Sequence, residues 1–273
     1  MKIVRAGNYV HMFLLVLFSI TTLLPGMFVV MASFSPSDAL NRGELLREFT
    51  LANYIIAVQS ADFPTLYRNT LLYTIGLLLV QVPTTLLCAY ALARLTGVVG
   101  FVLFYAVLFQ FFLPPAALII PNFIVISKVG LADTLVGVGL PYVASATGAF
   151  LLRQGIRQVP KELEEAAIID GATKLQILTK VIVPLIKPHI AAFSLVSFVY
   201  HWNEFLWPLV VISSPEKRLL SLGFAAFTRS SESGAEWGLI AAGAVLVAAP
   251  LILAFALGQR FFIESFTRAG LKG

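Results

Sequence analysis

Lys161-Glu162-Leu163-Glu164-Glu165-Ala166-Ala167-Ile168-Ile169-Asp170-Gly171 is a short charged run, continuing to Pro184, between two long apolar stretches. Pro160 suits a helix start, and Lys161 to Ile169 predicts two helical turns with acidic residues near the positive end of the dipole. Lys161 and Glu165 fall at i,i+4, and Glu162 and Glu165 at i,i+3. Gly171 offers a helix stop. Beyond it, Leu175, Ile177, Leu178, Val181 and Ile182, with Lys174 and Lys180, predict a second amphipathic helix ending before Pro184 and Pro188. A helix, a turn and a helix with one charged side can lie at a membrane surface and fit a groove in a partner. Read blandly, the same residues are a solvated connection between spans.

The rest of the chain belongs in lipid. Apolar residues make up 59% of its 273 residues and charged residues 12%, against roughly 25% charged in soluble domains; the mean hydropathy is +0.90. A helix needs about 20 apolar residues to cross a hydrocarbon core roughly 30 Å thick. No formal charge lies between Arg5 and Asp38, Arg68 and Arg94, Asp133 and Arg153, or Glu236 and Arg260, so each interval holds one crossing. The uncharged region from Leu95 to Ser127 is too long for one span, and Pro114, Pro115 and Pro121 interrupt it. It predicts a helix over about 101–120, kinked at the Pro pair. A fifth span, from about Pro188 to Ile212, carries Glu204 inside it. The expected architecture is all-α, a single transmembrane domain over 1–273 with six helices at about 12–34, 69–93, 101–120, 134–157, 188–212 and 238–260, and a loop at about 160–184.

With the N-terminus inside, Lys2, Arg5, Arg94, Arg153, Arg157, Lys161, Lys174, Lys180, Lys187, Arg260, Arg268 and Lys272 face the cytoplasm. Arg42, Arg47, Arg68, Lys128, Lys217, Arg218 and Arg229 face outward. The positive-inside rule therefore places both termini in the cytoplasm. The net charge of +5 needs no nucleic acid, because anionic lipid attracts basic residues at helix ends. The run from about Met12 to Phe34 exceeds a signal-peptide core and is expected to stay as the first helix.

Catalytic and metal chemistry finds no footing. Cys88 is the only cysteine, excluding an internal disulfide or a cysteine metal site. His11, His189 and His201 make no His-Glu-x-x-His pair. No Gly-x-x-x-x-Gly-Lys-Ser/Thr loop is present, so any ATP that drives this chain is hydrolysed on another.

Trp202, Asn203 and Glu204 are the candidates for a translocation path. A carboxylate in hydrocarbon is costly and marks a cavity, a pathway or a buried pair. Indoles suit the apolar faces of sugars, while Asn and Glu suit hydroxyls. A plainer reading has Glu204 capping a helix break before Pro208. Asn69 is a further path candidate that equally reads as a helix cap. Outside, Asp38 to Phe63 and Ser213 to Trp237 read as surface loops, with Arg42, Glu44, Arg47, Glu48, Glu232 and Glu236 as candidate contacts.

Glu165-Ala166-Ala167, then Gly171, then Val181-Ile182-Val183-Pro184 resembles the EAA signature of bacterial ABC importer permeases, with Val181 and Val183 where Ile and Leu are usual. Asn69-Thr70, Ala89-Tyr90-Ala91-Leu92-Ala93-Arg94, Gly130-Leu131 with Asp133-Thr134, Phe150-Leu151-Leu152-Arg153-Gln154, Trp202-Asn203-Glu204-Phe205-Leu206-Trp207-Pro208, Trp237-Gly238, Gln259-Arg260 and Gly270-Leu271-Lys272-Gly273 extend the likeness to the carbohydrate type. The chain is similar to the shorter permease of maltose- and glycerol-phosphate-type systems. The resemblance implies a sugar or related solute, with glycerol phosphate or a polyol as the alternative. It implies as partners a second homologous permease, two ATPase subunits that bind ATP and Mg, and an extracytoplasmic solute-binding protein. Glu162, Glu165, Ala166, Ala167, Asp170 and Gly171 would couple the chain to the ATPase. An ion-coupled secondary transporter would need an ionisable relay, for which only Glu204 and the histidines qualify, and an internal repeat, which is not apparent.

Overall fold

A computed structural model describes residues 2–270, with side chains over 11–260. Residues 271–273 of the terminal Gly-Leu-Lys-Gly motif, and the side chains of Lys2, Arg5, Arg268 and Lys272, lie outside the described residues. Among the described residues every regular element is helical. The chain divides into two compact units, Met1–Pro64 with Gly223–Pro250, and Thr65–Leu222 with Leu251–Gly273.

The first unit holds α1 (Lys2–Ser33), α2 (Ser37–Asn41) and α3 (Ala52–Ser60), with most of α14 (Leu220–Ser233) and the start of α15 (Trp237–Gly270). Ser213 to Trp237 is thus largely helical rather than an open loop, and Asp38 to Phe63 carries short helices on either side of an irregular stretch at 42–51. Burial is the reason. Ala39, Asn53 and Ala57 are buried, and the Asn53 amide donates to the carbonyls of Ser33 (3.0 Å) and Ser35 (2.9 Å). Gly238 allows the Ser35 backbone to approach within the distance a Cβ would need.

The second unit holds the remaining helices: α4 (Phe63–Arg94), α5 (Gly97–Phe109), α6 (Pro115–Lys128), α7 (Leu135–Gly139), α8 (Ala146–Gln158), α9 (Lys161–Ile169), α10 (Lys174–Gln176), α11 (Val183–Leu185), α12 (Lys187–Asn203) and α13 (Leu206–Val211). Helix α4 serves two apolar cores. Tyr73 and Leu77 pack with Ile126, Val138, Trp207 and Val211, whereas Ala89 packs with Leu152, Ile156, Ile182 and Phe193. Gly148 and Gly155, seven residues apart on one face of α8, lie against Phe193 and His189 of α12, where a Cβ would collide. Small residues at such crossings let helices approach closely.

Among the described residues three helices are long and apolar enough to span by themselves, His11–Ser33, Phe63–Arg94 and Trp237–Arg260; three bent pairs raise the count to as many as six. The expected helix over 101–120 is not one kinked rod. Leu113 and Pro114 are extended, and Pro115 opens a new helix 104° from the last, because Pro114 disfavours helical backbone at the residue before it. The span at 134–157 likewise consists of Leu135–Tyr142 and Ala146–Gln158, bent by 47°. The span at 188–212 stops at Asn203, so Glu204 lies past the helix end rather than inside it. The second amphipathic helix passes Pro184 to reach Leu185. Its stretch Ile177–Ile182 widens into π-helix, which accommodates the donor that Pro184 lacks. An 81° angle turns Lys174–Leu185 nearly perpendicular to α12.

Candidate functional site

Pro208 sits in the first turn of α13, where a missing N–H costs nothing, and the two residues ahead of that helix break the chain. Glu204 adopts extended backbone there, φ −64° and ψ 129°, and its carboxylate turns inward. The Tyr142 hydroxyl donates to Oε1, the Tyr73 hydroxyl lies 3.4 Å from Oε2, and His201 Nδ1 lies 3.4 Å from the same oxygen. Tyr73 also meets His201 Nδ1 at 3.1 Å. Behind them the Gln81 amide donates to the Tyr142 carbonyl at 2.7 Å and accepts from the Ser197 hydroxyl. Ser221 bonds the Glu204 carbonyl at 2.7 Å. Residues from α4, from the 3₁₀ turn Leu140–Tyr142 that follows α7, from α12 and the break after it, and from the start of α14 thus form one polar network in an apolar core, with nearly every polar atom partnered.

The network forms one wall of a cavity of about 490 Å³, lined by Pro115, Tyr142, Tyr200, Asn203, Glu204, Phe205, Trp207 and several aliphatic side chains; among the described residues no Lys or Arg lines it. Trp207 is fixed by its indole N–H on the Val138 carbonyl at 2.9 Å. Of the sequence candidates, Glu204 and Asn203 line the cavity. Trp202 does not; it is buried against Phe198 and Tyr67. Asn69 lies elsewhere and donates to the carbonyls of Glu216 (2.8 Å) and Arg218 (3.1 Å), organising a turn. Sequence reasoning missed Tyr73, Gln81, Tyr142 and Tyr200. Thr70, Thr74, Gln81 and Thr85 are spaced by 4, 7 and 4 along α4 and are all buried. That polar stripe on the uncharged stretch between Arg68 and Arg94 was the available signal.

The same turn is held from the other side by Asp133, which has φ +56°. Its carboxylate accepts the N–H groups of Ser213 and Ser214 (both 2.9 Å), the Ser214 hydroxyl (2.6 Å) and Lys217 Nζ (2.8 Å). The Lys217 contact, followed by the Ser214 hydroxyl and backbone bonds, holds the carboxyl well below the usual carboxylate range.

The charged helix–turn–helix forms as a surface element. Helix α9 closes with Gly171 at φ +80°. The N–H of Ala172 bonds Ala167 O (2.9 Å) and that of Gly171 bonds Ile168 O (3.0 Å), the Schellman pattern that glycine favours. Thr173 and Gln176 then cap the next helix reciprocally. Glu162, Glu165, Ala166, Asp170 and Gly171 are exposed and Ala167 is half-buried, beside the exposed apolar Leu163, Ile168, Ile169 and Leu175. Acidic and apolar side chains therefore stand side by side on this surface.

Comparison with known proteins agrees with this architecture. The family described as binding-protein-dependent transport system inner membrane component matches residues 81–267. The arabinooligosaccharides transport system permease protein AraQ of Halalkalibacterium halodurans is 32% identical over 251 residues, covering 90% of this chain and 89% of that protein. The sn-glycerol-3-phosphate transport system permease protein UgpE of Pectobacterium atrosepticum is 30% identical, over 75% of this chain and 73% of its own. A crystal structure of a bacterial ABC transporter involved in importing the acidic polysaccharide alginate superposes with TM-score 0.80 at 26% identity, over 94% of this chain and 97% of that one. A bacterial alginate ABC transporter in complex with its alginate pentasaccharide-bound periplasmic protein, 17% identical, shares the fold at TM-score 0.69 over 94% of each chain.

Proposed function

The chain belongs to the family of binding-protein-dependent transport system inner membrane components, and from that premise we propose that it passes an uncharged, hydroxyl-rich carbohydrate through the cavity at Glu204. It is a permease subunit of an ATP-driven importer and not an enzyme. In our reading a second, homologous permease completes the pore, two ATPase subunits bind ATP and Mg²⁺, and an extracytoplasmic binding protein delivers the solute. Both termini lie in the cytoplasm, on the side favoured by the excess of Lys and Arg.

Glu162, Glu165, Ala166, Ala167, Asp170 and Gly171 are assigned to the ATPase contact. The exposure of all of them but the half-buried Ala167, beside four large apolar side chains, supports this. The perpendicular turn of Lys174–Leu185 from α12 lays that helix along the membrane surface when α12 crosses. ATP binding closes the ATPases and draws the α9 elements together, so that the permease pair opens outward; hydrolysis reverses the change.

One observation carries the substrate class. The cavity presents a carboxylate, an amide and tyrosine hydroxyls beside aromatic faces, with no cation among the described residues of its lining. An anionic solute there would face Glu204 in a poorly solvated site without a countercharge, whereas sugar hydroxyls can donate to the carboxylate and bond Asn203 and Tyr200. The relative named for arabinooligosaccharides fits this chemistry; a polyol would fit it as well. Trp202 and Asn69 do not line the cavity.

The test is ATP-dependent uptake into proteoliposomes carrying the assembled transporter and its binding protein, comparing neutral oligosaccharides with uronate oligosaccharides and glycerol phosphate. Neutral sugar should enter at least tenfold faster. Uptake of either anion at the neutral rate refutes the assignment.

A further inference from the structure

Glu164 and Glu165 are neighbours that face opposite ways, as the turn of about 100° per helical residue allows. Glu165 is exposed, whereas Glu164 is buried against the end of α4. Arg94 Nε donates to Glu164 Oε1 at 2.7 Å, and its terminal nitrogen pairs with the same oxygen. That nitrogen also donates to the Ile156 carbonyl near the end of α8 at 3.2 Å. The Tyr90 hydroxyl donates to Glu164 Oε2 at 3.0 Å. One turn back, Arg153 on α8 donates to the Leu92 carbonyl at 3.0 Å. The ends of α4, α8 and α9 are therefore fastened at a single point by charge-assisted bonds, the strongest non-covalent ties available to side chains.

Helix α4 runs unbroken from this point through Pro83 to the cavity network. Tyr73, which meets Glu204 and His201, and Gln81, which meets Ser197 and the Tyr142 carbonyl, stand on it. From Arg94 to Tyr73 is 21 residues, about 32 Å at 1.5 Å per residue. A rigid helix joined at both ends by hydrogen-bonded networks can carry coupling over such distances, and the directional bonds at Arg94 add to the non-directional apolar contacts beside α9.

We propose that Arg94, Glu164 and Tyr90 form a strut that passes displacement of α9 into α4, and through α4 to the carboxylate of Glu204. The strut positions and transmits; it touches neither solute nor nucleotide. It rests on the reading of α9 as the ATPase contact, and it divides that helix into an outward face that binds and an inward face that transmits.

The test is the number of solute molecules moved per ATP hydrolysed by the reconstituted transporter, with co-purification of the ATPase measured in parallel. Glu164→Gln keeps the shape and the Tyr90 contact but removes the ion pair. It should retain the ATPase and its hydrolysis while solute moved per ATP falls at least tenfold. Glu164→Asp, which keeps the charge, should recover part of the loss. A parental ratio in Glu164→Gln overturns the strut, and so does loss of the ATPase from that variant, because the residue would then act in docking. If Glu164→Gln does not insert, Arg94→Lys decides. It keeps the charge but cannot serve Glu164 and Ile156 together, so it should lower the ratio several-fold, and a parental ratio again overturns the proposal. Failure of the unaltered chain to hold the ATPase would instead refute the docking reading on which the strut stands.

Discussion

Glu204→Gln isolates the charge of the cavity carboxylate with little change of shape. A hydrogen bond to an ionised acceptor contributes about 1.5–3 kcal/mol, against about 1 kcal/mol for a neutral one. Tyr142 bonds the carboxylate closely, while Tyr73 lies at 3.4 Å and keeps His201 as a partner at 3.1 Å. The internal loss is therefore about 1–2 kcal/mol. In a chain of this size each kcal/mol shifts the unfolding midpoint by about 2–4 °C, so Tm should fall by about 2–8 °C. Solute hydroxyls bonded to the carboxylate lose a similar increment, which corresponds to a roughly tenfold rise in KM. The assay pairs thermal unfolding of the detergent-purified transporter with uptake kinetics in proteoliposomes. A lowered Tm with unchanged KM and maximal rate would refute the reasoning, because Glu204 would then only brace the helix break.

Glu165→Lys reverses a charge on the exposed face of α9 and should abolish co-purification of the ATPase while the chain still inserts; retained ATPase with normal transport would show that this face is not the contact. Gly171→Ala places a side chain on backbone at φ +80° and should weaken the turn by about 1–2 kcal/mol, read as faster proteolysis near residues 170–173, with unchanged cleavage contradicting it. Asp133 has a folded pKa below its unfolded value near 4, so its contribution is full above that value and disappears as pH falls through the depressed one. Asp133→Asn should therefore lower Tm at neutral pH and flatten the loss of Tm below about pH 4; an equally steep acid loss in the variant would mean the turn at Ser213 and Ser214 is held otherwise.

Local patterns were legible because they depend on near neighbours. The apolar intervals between charges announced membrane helices, Pro160 and Gly171 bounded α9, and Glu165-Ala166-Ala167 with Gly171 pointed to the family that residues 81–267 match. The breaks were less legible. Pro114 and Pro115 signalled a disturbance, but whether it became a kink or a 104° turn depended on what the following helix buried, here Ile126 against Val138 and Trp207.

Composition, charge placement and short motifs determined that this chain is a helical membrane permease with a surface element between its spans. Only the tertiary structure decided what each polar side chain does. It buried Trp202, gave Asn69 to a turn, joined Glu204 to Tyr142, Tyr73 and His201, and turned Glu164 inward to Arg94 while leaving Glu165 outside. Apart from His201, the hydrogen-bond partners of the Asn69, Glu164 and Glu204 side chains stand 62 to 149 residues away along the chain. A buried charge or amide is stable only where such a partner arrives, and a single sequence states the need for a partner without saying which one packing will bring.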